Sequence, residues 1–149
     1  MGYIEDLRKQ VGNHPLILVG VAVGVINNEG EILLQKRHDG KWGVPGGFIE
    51  LGESTEDAGR REVLEETGIE IGKMDVINVF SGKEHFVKLP NGDEFYPVTI
   101  AYISTEVIGG ELKADGTETL EARFFKPTNL PESLNPIIKQ LIYAFATRK

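Results

Sequence analysis

Residues 47–69 read GFIELGESTEDAGRREVLEETGI, a stretch in which three glutamates fall on one face of a predicted helix. Glu62, Glu65 and Glu66 occupy positions i, i+3 and i+4, so their side chains share an arc of about 100°. Like charges at these spacings repel each other, and a purely structural helix gains nothing from them. Carboxylate oxygens suit Mg²⁺ and Mn²⁺, so the three residues are candidate metal ligands.

The flanking sequence favours metal binding over the alternative, a solvated glutamate-rich surface helix. Gly46 and Gly47 lie upstream, where bare backbone can approach a ligand or offer a carbonyl to a metal. Glu53 precedes the helix, and Arg61 lies beside the glutamates. The guanidinium of Arg61 can orient a carboxylate through a charge-assisted pair, although an ordinary surface salt bridge is the simpler interpretation.

The same stretch contains the signals that begin and end the helix. Ser54 is a suitable N-terminal cap with Asp57 as its capping-box partner, and Gly68 follows Thr67 at the C-terminus. Gly59 in the helix interior costs about 1 kcal/mol relative to alanine. Tight packing against a neighbouring element would explain a glycine at this position.

The spacing of these residues resembles the signature of the Nudix hydrolases. That signature is Gly, five residues, Glu, seven residues, Arg-Glu, an aliphatic residue, any residue, Glu-Glu, any residue, Gly and an aliphatic residue. Every specified position is matched, by Gly47, Glu53, Arg61, Glu62, Val63, Glu65, Glu66, Gly68 and Ile69. Similar context surrounds it, in LLQKR (33–37), WGVPGG (42–47) and TLEARFFKPTNLPE (119–132).

The resemblance implies a metal-dependent hydrolase that cleaves a phosphoanhydride bond in a nucleoside diphosphate linked to another group. It implies Mg²⁺ or Mn²⁺ as cofactor. The implied metal ligands are Glu62, Glu65, Glu66 and the carbonyl of Gly46. Structural or supporting roles fall to Gly47, Glu53 and Arg61, with Glu53 tied to Arg61.

The general base that activates the attacking water stays open at this point. A glutamate of the helix, Glu65 or Glu66, is one candidate, because some relatives use such a residue. Other relatives take the base or an extra metal ligand from a distal loop, which corresponds here to Glu118. Asp115 and Glu121 are neighbouring alternatives, and Glu118 itself is otherwise a solvated loop carboxylate.

Arg37, at the end of the second predicted strand, is the candidate for binding a substrate phosphate, with Lys36 and Lys41 as alternates. Trp42 is the single tryptophan, and we favour a place in the core over stacking on a base. Asn135 precedes Pro136, a pattern more typical of a helix cap than of purine recognition.

Strand and helix signals predict one domain over residues 1–149. Helices are predicted at 3–11 and from about 135, the latter directing Ile137, Ile138, Leu141, Ile142 and Phe145 inward. Strands are predicted at 16–26, 31–37, 74–80, 84–89, 94–104 and 121–126, with a hairpin turn at 91–93. We expect an α/β fold, the Nudix-type α/β/α sandwich with a mixed β-sheet.

The composition of the chain excludes or disfavours several kinds of functional site and partner. The net charge of −7 disfavours a broad nucleic-acid surface, although metal ions between carboxylates and phosphates would still allow a nucleotide to bind. There is no cysteine, which excludes disulfides, thiolate metal sites and cysteine nucleophiles. The longest apolar stretch is too short to span a bilayer. We therefore expect a soluble, cytoplasmic protein without membrane partners.

Three functions remain to be separated. A pyrophosphohydrolase acting on a small nucleotide is favoured, because a non-catalytic Nudix-fold sensing module would typically lack some of the signature glutamates. An RNA 5′-end pyrophosphohydrolase is disfavoured by the acidic balance. The compact chain without a long N-terminal extension favours nucleoside triphosphates, while ADP-ribose and other nucleotide sugars stay open. A homodimer is compatible with the sequence.

Overall fold

The computed structural model describes the backbone of residues 2–146 and their side chains, except those of Ile137 and residues 144–146. The helices are α1 (Tyr3–Val11), α2 (Thr55–Thr67) and α3 (Pro136–Ala146), with a short 3₁₀ helix at Lys83–His85. The strands are β1 (Leu16–Val25), β2 (Ile32–Lys36), β3 (Trp42–Gly43), β4 (Gly46–Phe48), β5 (Ile69–Ile71), β6 (Asp75–Phe80), β7 (Val87–Lys88), β8 (Glu94–Ser104), β9 (Val107–Gly110) and β10 (Glu121–Phe125).

The largest sheet is mixed, with strand order β4-β1-β8-β6 and β7 paired to β8. β1 and β8 run parallel along their length, while the other pairs of this sheet are antiparallel. A second, antiparallel sheet has the order β10-β2-β3, and β5 pairs with β9. This combination of mixed sheet and helices gives the α/β architecture that the sequence predicts.

Both faces of β1 are buried over residues 20–25, which explains the continuous apolar sequence of that part. Val21, Val23 and Val25 belong to the core cluster that includes Ala58 and Val63 of α2. The alternate residues Ala22 and Ile26 belong to the cluster that includes Ile138 and Leu141 of α3. The two helices therefore cover opposite faces of the central strand.

Close packing between α2 and β1 explains the glycine inside the helix. A Cβ atom on Gly59 would lie 3.1 Å from Met74 Cε and 3.2 Å from Val23 Cγ2. Both neighbours are buried, so a larger residue would have to displace the core. The predicted tight packing at Gly59 is confirmed.

Most predicted elements match the structure, and α1 and β8 match at both ends. The prediction of one strand over 84–89 was wrong, because residues 83–85 form a 3₁₀ turn and only Val87–Lys88 pair with β8. Trp42, outside every predicted strand, lies in β3. β4, β5 and β9 were missed, since three or four residues are too few to show a periodicity.

The final helix agrees with its predicted inward face where the structure describes it. Ile138 and Leu141 are buried and Ile142 packs against the same cluster. The predicted inward side chains of Ile137 and Phe145 lie outside the described residues. Within residues 2–146, the helices fall short of the length and hydrophobicity that a membrane crossing requires.

Candidate active site

The local fold places α2 directly after β4, next to the centre of the main sheet. Gly46–Phe48 pair with residues 20–22 of β1. Ser54 Oγ then accepts a hydrogen bond from the backbone N–H of Asp57 at 3.0 Å, which confirms the predicted helix cap. Gly68 ends the helix with φ of 78°, a left-handed conformation that glycine adopts without strain.

Gly47 allows the backbone of β4 to approach the carboxylate of Glu62, and Gly46 allows it to approach β1. A Cβ atom on Gly47 would lie 2.3 Å from Glu62 Oε2, and one on Gly46 would lie 2.2 Å from the carbonyl oxygen of Val21. Neither position can accept a side chain without moving its neighbours. Glu62, which is itself buried, therefore packs against bare backbone.

Glu66 is the most buried acidic residue of the helix, with 3% of its surface exposed. Its Oε1 accepts hydrogen bonds from Gln35 Nε2 at 2.7 Å and from the Gly46 N–H at 3.3 Å. Arg37 Nη2 lies 3.9 Å from the same oxygen. Burial, followed by the interaction with the Glu62 carboxyl group, raises the pKa of Glu66 to about 8.

Arg61 connects the acidic residues around the helix. Its guanidinium donates to both oxygens of Glu53, at 2.6 and 2.9 Å, and to Glu62 Oε1 at 2.5 Å. The hydrogen bonds from Arg61 hold the pKa of Glu53 below its ordinary value. The Glu53 hydrogen bond in turn raises the pKa of Arg61. The structure thus brings Glu53 and Arg61 together, as the resemblance implies.

Glu65 is far more exposed than Glu62 and Glu66. Its side chain is 58% exposed and lies 3.3 Å from Arg61 Nη1. Within α2, the carboxyl groups of Glu62 and Glu66 interact directly. In the described part of the chain, no three acidic or histidine side chains converge closely enough to hold a metal ion as they stand.

A cleft of about 450 Å³ opens above Glu62, and Arg37, Gly46, Gly47 and Glu118 share its wall. A second cavity of about 620 Å³ continues from it past β4. The residues that line both are Arg37, Gly46, Gly47, Phe48 and Phe95. The two cavities therefore form one trench, with Arg37 and the glycine backbone at its middle.

The ends of the trench come from elements far apart in the chain. Ile4, Glu5 and Arg8 of α1 line the first cavity. Thr99 of β8 and Asn135, which immediately precedes α3, line the second. Asn135, predicted as a helix cap, therefore also lies at the trench.

The loop before β10 presents Glu118 to the cleft. Asp115 Oδ1 accepts hydrogen bonds from the backbone N–H groups of Thr117, Glu118 and Thr119 at 2.9, 3.1 and 2.9 Å. Desolvation acts to raise the pKa of Asp115, but these backbone donors outweigh it and lower the value. Glu121 instead lies 3.3 Å from Arg123. Of the three acidic candidates here, Glu118 is the one whose residue lines the cleft.

Two further side chains refine the sequence-based assignments. Trp42 is buried, and its ring lies edge-on to Phe125 with 4.9 Å between centroids, so its predicted core position is confirmed. Gln35 was not recognised from the sequence, yet it contacts Glu66. The available signal was a polar residue within the buried apolar strand ILLQK.

The NUDIX domain profile matches residues 17–145. The chain belongs to the Nudix family. It is 39% identical to the ADP-ribose pyrophosphatase of Methanocaldococcus jannaschii, over 86% of this chain and 72% of that protein. It is 35% identical to the putative 8-oxo-dGTP diphosphatase of Bacillus subtilis, over 85% of this chain and 78% of that protein.

Solved structures show the same architecture. The MutT NUDIX hydrolase of Burkholderia pseudomallei superposes with a TM-score of 0.71 at 26% identity, covering 86% of this chain and 97% of that one. The predicted Nudix-type fold is confirmed. The chain is a Nudix hydrolase that cleaves a pyrophosphate bond in nucleotide substrates, so the predicted enzyme class is confirmed as well. Helix α1 lies outside the segment that the family profile matches.

Proposed function

We propose that this Nudix hydrolase holds Mg²⁺ or Mn²⁺ at Glu62 and Glu66 and hydrolyses the diphosphate of a small nucleoside diphosphate derivative in the trench. The observation that supports this proposal most strongly is the pairing of two buried carboxyl groups at the glycine backbone of β4. Arg37 and Glu118 line the same cleft. Diphosphate, metal and water would therefore meet at one place.

The residues fit a divalent cation on chemical grounds. Burial, and after it the adjacent Glu62 carboxyl group, raises the pKa of Glu66, and two carboxylates side by side repel each other when both are ionised. A hard cation would relieve that repulsion and prefers oxygen ligands. We propose Glu62, Glu66 and the Gly46 carbonyl as ligands. Glu65 is the third carboxylate of the proposed set, and it would have to leave Arg61 to take part.

Arg37 and Glu118 have different roles in the proposed reaction. A bound divalent ion supplies charge neutralisation for the diphosphate and an acidified water. Arg37, at the middle of the trench, orients a phosphate oxygen through charge-assisted hydrogen bonds. The Glu118 carboxylate takes the proton of the attacking water, because it lines the open cleft whereas Glu66 is buried and hydrogen-bonded. Glu65 and Glu66 are the alternative bases.

The shape and charge of the molecule favour small nucleotides. Two cavities on either side of Arg37 offer room for groups at both ends of a diphosphate. The net charge of −7 acts against a long polyanion such as RNA. ADP-ribose and 8-oxo-dGTP, which appear in the names of the relatives, are the substrates to test first.

A hydrolysis screen tests the proposal. ADP-ribose, 8-oxo-dGTP and dGTP would each be incubated with Mg²⁺ or Mn²⁺ and both products identified. We expect cleavage within the phosphoanhydride of at least one compound, and its loss on adding a chelator. Failure of all nucleotides with both metals would overturn the proposal.

The choice of base is tested by Glu118→Gln. We expect a fall in kcat of about 10²-fold or more, together with a changed pH–rate profile. Glu121→Gln is the matched variant, since Glu121 lies near Glu118 in the chain but pairs with Arg123. Normal kcat and an unchanged profile in Glu118→Gln would leave a helix glutamate as the base.

A further inference from the structure

Gln35 carries a fully buried amide on a strand that is otherwise apolar at its buried positions. Its exposure is 0%, as is that of Leu33 and Leu34 beside it. Among the residues that the structure describes, its Oε1 has no hydrogen-bond partner. A buried amide oxygen without a partner costs about 1–3 kcal/mol. An apolar residue of similar size would therefore make the core more stable.

The nitrogen of the same amide donates a hydrogen bond to Glu66. Gln35 Nε2 donates to Glu66 Oε1 at 2.7 Å, the shortest of three contacts that this oxygen makes. The Gly46 N–H at 3.3 Å and Arg37 Nη2 at 3.9 Å point to the same atom. All three of these contacts are made by Oε1, and the Glu62 carboxyl group also interacts with Glu66.

We propose that Gln35 is a positioning residue that fixes the Glu66 carboxylate so that Oε2 is presented to the divalent cation. The inference rests on the proposed function, in which Glu66 is a metal ligand. The terminal torsion of a glutamate is soft, so a free carboxylate would sample many orientations. A rigid, buried amide donor selects one of them before the metal arrives. Hydrogen-bond partners of ligands commonly orient them in this way.

The chain gives a reason why Gln35 acts through Glu66 and not through the core. Its strand neighbours alternate between the two core clusters, with Leu33 in one and Leu34 in the other. Both clusters are built from hydrophobic side chains, and the amide oxygen of Gln35 has no hydrogen-bond partner in either of them among the described residues. Burial of the unpartnered Oε1 therefore lowers the stability of the protein, and the residue is explained by the hydrogen bond that its Nε2 donates to Glu66.

Gln35→Met tests the inference, because methionine keeps the unbranched length but cannot donate. Three quantities would be measured: Mn²⁺ affinity without nucleotide by electron paramagnetic resonance, thermal unfolding in chelator, and kcat and KM separately. We expect the Kd for Mn²⁺ to rise about tenfold or more. The Tm without metal should stay level or rise, and kcat should fall more than KM changes.

Thr119→Val is the matched control. Thr119 is the other fully buried residue whose side-chain oxygen has no partner among the described residues. Valine keeps its shape, so the Tm should respond in the same direction as for Gln35→Met. The affinity for Mn²⁺ should stay at the wild-type value. The control separates removal of a buried, unpartnered oxygen from loss of the contact with Glu66.

The outcomes distinguish the two proposals. If the wild-type protein binds Mn²⁺ and Gln35→Met binds it equally well, the positioning role is overturned while the proposed function stands. A lower Tm with unchanged Mn²⁺ affinity would make Gln35 a structural residue only. If the wild-type protein binds no Mn²⁺, the proposed function itself fails. Should Gln35→Met not fold, Gln35→Asn, whose shorter amide cannot reach Glu66, is expected to show the same loss of affinity.

Discussion

Glu66 is a glutamate held where a negative charge is unfavourable. It is almost fully buried, lies against Glu62, and accepts the hydrogen bonds from Gln35 and the Gly46 N–H at one oxygen. Such a position is unfavourable for a carboxylate that only stabilises a helix, but it suits a carboxylate that binds a cation. Two predictions follow from this single side chain.

The first concerns activity. Glu66→Gln keeps the size of the side chain but removes the charge, so we expect kcat to fall by about 10²-fold or more with an unchanged fold. We expect Glu65→Gln to lower kcat as well. Glu56→Gln, an exposed glutamate in the first turn of the same helix, should leave kcat unaltered. Steady-state kinetics and circular dichroism would check these values, and near-normal turnover of both signature variants would contradict the metal assignment.

The second concerns the pH dependence of stability in the metal-free protein. The folded-state pKa of Glu66, about 8, lies above its ordinary value of 4.5, so the folded protein retains a proton that the unfolded chain releases. The stability linked to this proton is fully present below pH 4.5 and is lost as the pH rises through 8.

This pH dependence is measurable by urea unfolding in chelator at pH 5.5 and 9. The wild-type free energy of unfolding should drop between these values, and Glu66→Gln should show a smaller drop. Equal drops in the two proteins would mean that Glu66 is already ionised in the folded state.

At the scale of elements, α2 must end abruptly so that β5 can pair with β9. Gly68 closes the helix in the left-handed region, and a Cβ atom there would lie 2.1 Å from the carbonyl oxygen of Glu111. Gly52 has the same φ of 78° with nothing within 4 Å of a built Cβ. Substitutions at Gly52 and Gly68 therefore distinguish the cost of the left-handed conformation from the cost of steric overlap.

We expect both alanine variants to be destabilised by the left-handed conformation, by about 1 kcal/mol. Gly68→Ala should lower the free energy of unfolding by a further 1–3 kcal/mol, approximately. The chain at Glu111, directly after β9, cannot move away from the new Cβ atom without disturbing the pairing of β9 with β5. Denaturant titration of both variants measures the difference. Equal losses would show that the loop around Glu111 moves freely.

At the scale of the whole molecule, α3 covers a core cluster to which both the mixed sheet and the antiparallel sheet contribute. Leu141 is buried in this cluster together with Trp42 and Phe125. Leu141→Ala is expected to lower the free energy of unfolding by about 2–5 kcal/mol. Tyr143→Ala, two residues away and 71% exposed, should change it by about 0.5 kcal/mol at most. Similar losses for the two variants would mean that α3 does not close the core.

The sequence was most informative where a structure depends on near neighbours. The cap at Ser54, the stop at Gly68, the hairpin before β8 and the extent of β8 itself follow from local patterns. It was less informative for β4, β5 and β9, whose pairing partners lie elsewhere in the chain. Short strands exist only because another strand supplies their hydrogen bonds.

The sequence by itself determined the family, the helix α2 and the presence of three glutamates on one face, because helical spacing is a local property. Only the tertiary structure decided how these glutamates differ: Glu66 is buried against Gln35, 31 residues away in the chain, while the side chain of Glu65 stays 58% exposed. It also decided that Glu118, and not Asp115, lines the cleft. Burial and long-range hydrogen bonds arise only when distant segments pack together, so they cannot be predicted from the pattern of neighbouring residues.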